Sequence, residues 1–330
     1  MSVLVTGGAG YIGSHMVLEL LDAGEDVVVI DNLSTGFRWA VPPAARLVVG
    51  DIGDQELVRS TIRRSSVNAI IHFAGSIVVP ESVRDPLGYY QNNTVKSREL
   101  IEAAVACNVP HFIFSSTAAV YGTPPANPIS EDTPLAPISP YGTSKMMTEI
   151  MLRDVAAAHD LTYCALRYFN VAGADPKGRS GQSSQVATHL IKIASQAALG
   201  FRSHLDVFGT DYDTPDGTCV RDYIHVSDLC RAHRLALGNL RTGGTSKVMN
   251  CGYGRGFSVR EVIDTIKRVT GEQFDVRDTA RRDGDPASLI ADNTRIRDAL
   301  AWTPELDDLG AIIAQAYEWE KHLLRFRAAS

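Results

Sequence analysis

Short apolar runs alternate with amphipathic stretches through the first half of the chain. The apolar runs predict buried strands at 2–6, 26–30, 46–49, 68–73, 111–115 and 162–168. Between them, apolar residues recur at three- and four-residue intervals and predict helices at 11–23, 54–64, 85–107 and 140–159. Strands that alternate with helices are typical of a parallel sheet covered on both faces. We therefore expect an α/β fold built on a doubly wound parallel sheet.

The pattern is less regular beyond residue 171. Helices are predicted at 185–199, 227–239, 258–270 and 307–326, and loops rich in Gly and Asp separate them. We expect residues 1–171 to form one domain and residues 172–330 a smaller α/β domain that faces the substrate. As an alternative boundary, a segment near 213–240 returns to the first domain.

Composition limits the partners. The chain has 330 residues with 32 Lys and Arg against 38 Asp and Glu, and this net charge of -6 argues against nucleic acid or an acidic membrane surface. No apolar run approaches the ~18 residues of a membrane span, and a strand from residue 2 leaves no room for an export signal. The five cysteines form no pattern typical of disulfides or of a metal site. We expect a soluble cytoplasmic protein without metal.

The segment "VLVTGGAGYIGSH" joins the first predicted strand to the first predicted helix. Gly7, Gly8, Gly10 and Gly13 satisfy both G-x-x-G-x-x-G and the G-x-G-x-x-G dinucleotide fingerprint of a Rossmann sheet, in which glycines allow a tight turn and close approach of a pyrophosphate to the helix N-terminus. Asp31 ends the second strand, where a carboxylate accepts hydrogen bonds from the ribose and repels a 2′-phosphate. The pattern favours NAD over NADP. An ordinary glycine turn and a loop-capping Asp31 are the alternatives.

The segment "SPYGTSK" begins the fourth predicted helix. Ser139 and Pro140 are typical of a helix start, and they place Tyr141 and Lys145 on one helix face. A lysine ammonium some 5 Å away lowers a tyrosine pKa by about two units, which suits Tyr141 to general acid–base catalysis. Thr117 follows a predicted strand at the edge where α/β proteins bind ligands. The alternative is an exposed Tyr/Lys pair on an amphipathic helix.

Further motifs extend over essentially the whole chain: "DNLSTG", "IHFAG", "ESVRDPLGYYQNN", "FSSTAAVYG", "RYFNVAGA", "GTCVRDYIHVSDL" and "RRDGDP". With these motifs the chain resembles the extended short-chain dehydrogenase/reductase family, and within it the branch of UDP-glucose (UDP-galactose) 4-epimerases. The resemblance implies reversible inversion at carbon 4 of a UDP-hexose through a transient 4-keto sugar and bound NADH. It places this reaction in galactose metabolism or in the supply of UDP-galactose for surface polysaccharide.

The resemblance also implies a site. Tyr141, Lys145 and Thr117 would be catalytic. The NAD site would be lined by Gly7, Gly10, Tyr11, Ile12, Gly13, Asp31, Asn32, Asp51, Ile52, Phe73, Ala74, Gly75, Asn92, Tyr141, Lys145 and Phe169. The UDP-sugar would contact Thr117, Tyr141, Asn170, His189, Leu190, Asp206, Phe208, Arg221, Arg282, Asp285 and Leu289.

Several of these residues have ordinary structural alternatives. Arg221 and Arg282 could pair with the adjacent Asp222 and Asp283 at the surface. Asn170 could form a turn, and His189 could lie on a helix surface.

Three positions depart from the pattern of well-known members. Thr117 replaces a serine and keeps the hydroxyl, so we expect activity to survive. Ile77 replaces a lysine that some members direct at the cofactor, and His189 replaces an asparagine that faces the diphosphate.

Particular residues disfavour two other functions. Nucleotide-sugar dehydratases and decarboxylases carry acidic side chains shortly after the Ser/Thr, where this chain has Ala118 and Ala119. A methyl group cannot move a proton, so elimination chemistry is disfavoured. A dinucleotide-binding protein without catalysis would not need Thr117, Tyr141 and Lys145 together.

Two further expectations concern the size of the sugar pocket and the assembly of the protein. Leu289 replaces a tyrosine that narrows the sugar pocket in some members, so we expect UDP-N-acetylglucosamine to be accepted; burial in a core is the alternative. The resemblance implies a homodimer packed through the helices at 85–107 and 140–159. Met146, Met147, Ile150 and Met151 exceed what one core-facing stripe requires, although core burial would also account for them.

Overall fold

The computed structural model describes residues 2–184, 188–282 and 285–329, with side chains described as far as residue 324. The strands are β1 (Ser2–Thr6), β2 (Asp26–Asp31), β3 (Arg46–Val49), β4 (Val67–His72), β5 (His111–Thr117), β6 (Thr162–Tyr168), β7 (Asn170–Ala172), β8 (His204–Phe208), β9 (Val220–His225), β10 (Lys247–Cys251), β11 (Gly256–Ser258), β12 (Asp275–Thr279) and β13 (Ser288–Leu289). The helices are α1 (Tyr11–Asp22), α2 (Gln55–Arg64), α3 (Val79–Arg84), α4 (Pro86–Tyr89), α5 (Lys96–Ala106), α6 (Pro140–Ala158), α7 (Leu190–Ala198), α8 (Val226–Arg241), α9 (Val259–Thr270), α10 (Thr294–Leu300) and α11 (Leu309–Ala329).

Seven parallel strands form the main sheet in the order β10-β6-β5-β4-β1-β2-β3. The order runs outward in both directions from β1 and β4, with helices on both faces, so the predicted doubly wound α/β fold is confirmed. Val3 and Val5 of β1 pack on one face of the sheet, whereas Leu4 packs on the other. Burial on both faces explains why these strands are uninterrupted apolar runs.

The predicted helix at 85–107 is not continuous. The chain forms the short helix α4, then a π-helical turn at Tyr90–Val95, and only then α5. The turn widens around Asn93, whose buried side chain donates hydrogen bonds to the Ser76 carbonyl (2.9 Å) and the Ser144 hydroxyl (3.1 Å). The first three residues of the predicted helix at 185–199 lie outside the described residues, and α7 begins at Leu190.

The later part of the chain builds two smaller sheets. One contains β7, β9, β11 and β13, and the other pairs β8 with β12. Helices α7, α9 and α11 cover a separate apolar cluster here. The chain also returns to the main sheet, because β10 pairs with β6 and α8 packs beside α1. The two-domain boundary remains a prediction.

Within the described ranges, no helix is long and apolar enough to cross a membrane.

Candidate active site

The glycine turn packs tightly against the end of a neighbouring strand. Gly7 has a left-handed backbone (φ +72°), and a Cβ there would lie 2.7 Å from the backbone nitrogen of Ala74. At Gly13 a Cβ would lie 2.1 Å from the carbonyl oxygen of Gly7. Any side chain at these positions would force the backbone apart. The turn and the N-terminus of α1 thus form a cradle of glycine backbone without side chains, which suits a pyrophosphate.

Asp31 is buried at the carboxyl end of β2. Its carboxylate accepts hydrogen bonds from the backbone nitrogens of Ala9 (2.9 Å) and Leu33 (2.8 Å). The side chain therefore caps the loop that follows β2, which is the structural alternative given above, and it also lies directly beside the glycine turn. This position fits a residue that binds the ribose of a dinucleotide.

The other predicted NAD residues near the ends of β1, β2 and β3 make different contacts. Asn32 is exposed, and its side chain accepts a hydrogen bond from the Ser34 amide (3.0 Å). Asp51 pairs with Lys96 at 2.6 Å. Tyr11 donates to the Gly173 carbonyl (2.7 Å). Ile52 is buried in the core between the sheet and its helices, and Ile12 is partly buried against the opposite cluster.

Tyr141 and Thr117 lie together at the carboxyl edge of the main sheet. Thr117 ends β5, and Tyr141 lies in the first turn of α6, which begins as predicted with a hydrogen bond from the Gly142 amide to the Ser139 hydroxyl (3.2 Å). Both residues are 8% exposed. Burial raises the pKa of Tyr141 above its usual value, while a hydrogen bond with Thr117 acts in the opposite direction. The expected lowering of the Tyr141 pKa is therefore wrong for the protein alone, because burial prevails.

Lys145 is buried one turn further along α6. Its Nζ donates to the carbonyl oxygen of Ser115 (3.0 Å) and lies 4.9 Å from the centre of the Phe114 ring. Burial lowers the pKa of Lys145 to about 8, and the negative charge of Glu149 opposes this. Within the described part of the chain, no carboxylate oxygen lies within 4 Å of Nζ. A buried ammonium with donor capacity to spare fits the binding of ribose hydroxyl groups.

The segment after β4 joins the two parts of the site. A Cβ at Gly75 would lie 3.7 Å from Lys145 Nζ and 3.0 Å from Asn93 Oδ1. The Phe73 amide donates to the Thr6 carbonyl (3.0 Å), just before the glycine turn. Asn92 donates to the Ser76 hydroxyl (2.9 Å). The predicted residues Phe73, Ala74, Gly75 and Asn92 thus lie between the glycine turn and α6.

Ser76 and Asn93 were not predicted. The Ser76 amide donates to Asn93 Oδ1 (2.7 Å), and this bond fixes the strand end beside Lys145. The repeated asparagine in "QNN" was the signal in the sequence that could have found this contact.

A second group of predicted residues lies on the later part of the chain. The Arg282 guanidinium stacks 3.6 Å from the centre of the Phe208 ring. Arg221 reaches Asp285, with Nη2 3.4 Å from Oδ1. Arg221 does not pair with Asp222, whose carboxylate instead accepts the amides of Tyr253, Gly254 and Ala291; burial raises its pKa to about 6. Asp283 lies outside the described residues.

These contacts form an aromatic platform with two guanidinium groups, which suits a base and its phosphates. Asp206 lies two residues before Phe208 on β8 and so points to the same face of the strand. Its Oδ1 lies 3.4 Å from His204 Nε2, and among the described residues its carboxylate makes no hydrogen bond or ion pair with Arg221 or Arg282.

Asn170, His189 and Leu190 line one small cavity between β7 and the start of α7. His189 accepts or donates a 2.7 Å hydrogen bond with Gln182 through Nδ1, and burial and the nearby Lys192 lower its pKa. This residue is therefore not a plain surface histidine. A neutral imidazole there can still donate one hydrogen bond.

Leu289 and Phe169 both pack against the small apolar cluster that follows Thr117. Both are partly buried against the residues Ala118, Val120, Tyr121 and Ile129. Leu289 is paired with Arg221 through the β13–β9 ladder. It therefore lies between the platform and the strand end that carries Thr117, and not in the core of the later part of the chain. Ile77 is 55% exposed.

Comparison with known proteins gives a consistent result. Residues 3–252 match the NAD dependent epimerase/dehydratase family. A UDP-glucose 4-epimerase from Azospirillum brasilense is 60% identical over 97% of this chain and 92% of its own length. The crystal structure of UDP-glucose 4-epimerase from Brucella ovis in complex with NAD is 46% identical, with a TM-score of 0.94 over 96% of this chain and 97% of that chain.

A third relative is named for two sugars. The structure of the UDP-Glc/GlcNAc 4-epimerase from Campylobacter jejuni is 47% identical, with a TM-score of 0.86 over 97% of this chain and 99% of that chain.

The chain belongs to the NAD-dependent epimerase/dehydratase family, which confirms the resemblance seen in its motifs. It is an enzyme, and NAD is its cofactor. The three relatives above are 4-epimerases of UDP-sugars.

Proposed function

We propose that the protein inverts carbon 4 of UDP-galactose and UDP-glucose reversibly. The observation that carries this proposal is the buried group of Thr117, Tyr141 and Lys145 at the end of β5, close to the Phe73–Gly75 segment that packs on the glycine turn. The similarity to UDP-glucose 4-epimerases over nearly the whole chain supports it.

The cradle of Gly7, Gly10 and Gly13 and the Asp31 carboxylate would hold the dinucleotide. NAD, when bound, supplies a hydride acceptor that can also return the hydride. Tyr141 Oη takes the proton from the 4-hydroxyl oxygen of the sugar, holds it while carbon 4 is a ketone, and gives it back. Lys145 favours the phenolate form of Tyr141 because a positive charge stabilises a nearby negative one. Thr117 orients the sugar hydroxyl.

Inversion requires the sugar to turn over between the two hydride transfers. We propose that Phe208, Arg221, Arg282 and Asp285 hold the uridine diphosphate while the sugar itself stays loosely bound. The uridine diphosphate can be bound firmly while the sugar is bound weakly, because different residues contact these two parts of the substrate. No net oxidation results.

The test is to incubate the purified protein with UDP-galactose and to follow UDP-glucose together with NADH absorbance. We expect conversion to an equilibrium mixture without added reductant and without stoichiometric NADH release. Sustained accumulation of NADH would instead identify a dehydrogenase.

UDP-N-acetylhexosamines are a second substrate class in this proposal. The position of Leu289 beside the Thr117 strand end favours it, because leucine occupies less space there than an aromatic ring. The similarity to a UDP-Glc/GlcNAc 4-epimerase is in agreement.

We also propose a homodimer in the cytoplasm. On α6, Met147 and Ile150 are each 38% exposed, and Val95 beside the start of α5 is 41% exposed. Met146 and Met151 instead pack in the protein's own clusters. All five cysteines are free thiols, as suits a reducing compartment. Sedimentation should give a dimer at micromolar concentration, and Ile150→Glu should shift it to a monomer; a monomeric wild type would remove the dimer.

A further inference from the structure

Glu149 is a buried charge with no part in the chemistry described so far. It lies on α6 one turn beyond Lys145 and two turns beyond Tyr141, and it is 5% exposed. Its carboxylate pairs with Arg167 of β6, which is equally buried: Nη2 donates to Oε2 (2.6 Å) and Nε to Oε1 (3.0 Å). The carboxylate and the guanidinium are therefore both shielded from water where α6 packs against β6.

The contacts of this pair hold the chain on both sides of Thr117, at Ser116 and at Tyr121. On one side, the Ser116 hydroxyl donates to Glu149 Oε1, and Ser116 is the partner of Arg167 in the β5–β6 register. On the other side, Arg167 Nη1 donates to the hydroxyl of Tyr121 (2.9 Å), which ends the turn that follows Thr117. Tyr121 donates in turn to Asn250 of β10 (2.7 Å). Ser116 before Thr117 is thus bonded to the Glu149 carboxylate directly, and Tyr121 four residues after Thr117 is bonded to it through Arg167.

We propose that Glu149 is a positioning residue, which fixes the end of β5 that carries Thr117 against the helix that carries Tyr141 and Lys145. This role rests on the proposed epimerase reaction. A purely stabilising role explains the arrangement less well, because a buried ion pair adds little net stability over apolar side chains of similar size. A carboxylate shared between the strand end and the helix does set the distance between them.

The charge of Glu149 also acts on Lys145. Titratable groups near Lys145 among the described residues include Glu149 and Tyr141 on its own helix, His72 on β4 and Tyr168 on β6, whose hydroxyl bonds Ser115. Burial raises the pKa of Tyr168, so this phenol carries no charge. Burial lowers the pKa of His72 to about 3, so this histidine is neutral at working pH, and the Ser115 carbonyl and Phe114 ring carry no charge. Glu149 is therefore the negative charge that favours the protonated form of Lys145. Its loss should make Lys145 lose its proton at lower pH.

The test is Glu149→Gln, which keeps the shape of the side chain and removes its charge. We expect kcat for UDP-galactose to fall by about 10²-fold, because small displacements of catalytic groups have effects of that size. KM should change little, and the alkaline limb of the kcat profile should move to lower pH. A loss of kcat that is matched by loss of folded, NAD-containing protein, with an unchanged pH profile, would overturn the proposal.

A double variant covers the case in which a lone buried Arg167 prevents folding. Glu149→Gln combined with Arg167→Gln removes both charges. Recovery of folding with kcat still low and the alkaline limb still shifted supports positioning by Glu149. Recovery of wild-type kcat and pH profile overturns it. Ser116→Ala removes one hydrogen bond to Glu149 and no charge. It should therefore lower kcat less than Glu149→Gln does and leave the alkaline limb of the kcat profile unchanged.

One readout does not depend on turnover. The chain has seven lysines, so the Lys145 signal can be assigned in ¹³Cε-lysine NMR spectra with the Lys145→Arg variant and titrated directly. A lower Lys145 pKa in Glu149→Gln than in wild type supports the proposal, and an unchanged pKa overturns it. Failure of the wild type to convert UDP-galactose would reject the epimerase reaction instead. The Lys145 titration would still decide whether Glu149 raises the Lys145 pKa.

Discussion

The Asp31 carboxylate accepts a 2.9 Å hydrogen bond from the backbone N–H of Ala9 and so joins the end of β2 to the glycine turn. Asp31→Asn should weaken NAD binding by about 10- to 100-fold, because a hydrogen bond to a charged group contributes about 1.5–3 kcal/mol. The measurement is the affinity of NAD for protein freed of cofactor. Asp26→Asn, at the exposed opposite end of β2, is the matched control and should bind NAD normally. Equal affinities for the two variants would contradict a ribose-binding role for Asp31.

Tyr141→Phe removes only the phenol oxygen from a buried ring. We expect it to fold and to bind NAD, and to lose about 10²- to 10⁴-fold in turnover, which is the usual contribution of acid–base catalysis. Tyr317→Phe, on α11, makes the same chemical change away from the site and should keep full activity. Near-normal turnover of Tyr141→Phe would mean that another group moves the proton.

Leu289→Tyr should narrow the space between the platform and the end of β5. Since Leu289 is only partly buried, a larger ring can be accommodated without disrupting a core. We expect turnover of UDP-N-acetylglucosamine to fall selectively while turnover of UDP-galactose is kept. Loss of both activities together with a lower melting temperature would assign Leu289 a packing role. If the wild type does not turn over UDP-N-acetylglucosamine at all, the proposal that its pocket accepts N-acetylated sugars is wrong.

Acid should destabilise the protein through three buried histidines. Burial lowers the pKa of His15 and His233 to about 4 and that of His72 to about 3, from an ordinary value of 6.5. As pH falls below 6.5 the unfolded chain takes up these protons first. Stability is therefore complete above pH 6.5 and decreases toward pH 4, by up to about 1.4 kcal/mol per pH unit for each histidine.

Urea unfolding across this pH range measures the slope. His233→Gln should make the slope shallower, because the Nε2 atom of His233 has no hydrogen-bond partner among the described residues that would help it hold a proton. His159→Gln alters an exposed histidine and should leave the slope unchanged. The same slope in both variants would show that His233 does not contribute.

The apolar runs predict six of the seven strands of the main sheet, because strands buried on both faces contain few polar residues. The edge strand β10 is not predicted, since Lys247 and Asn250 interrupt its apolar pattern and its partner β6 lies far away in the sequence. The π-helical turn at Tyr90–Val95 is not predicted either. Its cause is the hydrogen bonding of Asn93 to residues of other segments, which helical periodicity does not report.

In the candidate site, too, local features can be predicted from the sequence and contacts between distant segments cannot. Residues in local motifs, such as Asp31 after a strand or Tyr141 and Lys145 on one helix face, can be predicted because their neighbours in sequence are also their neighbours in space. The pairing of Glu149 with Arg167 depends on how α6 packs against β6. One signal in the sequence pointed to it, because Glu149 continues the four-residue spacing that starts at Tyr141 and passes through Lys145.

The position of β10 at the edge of the main sheet has a consequence for synthesis on the ribosome. β6 is complete once residue 168 has been made, but its outer edge stays unpaired until residues 247–251 emerge. An open strand edge is a template for pairing with other chains. Nascent chains stalled between these points should therefore be the form of this protein most prone to aggregate.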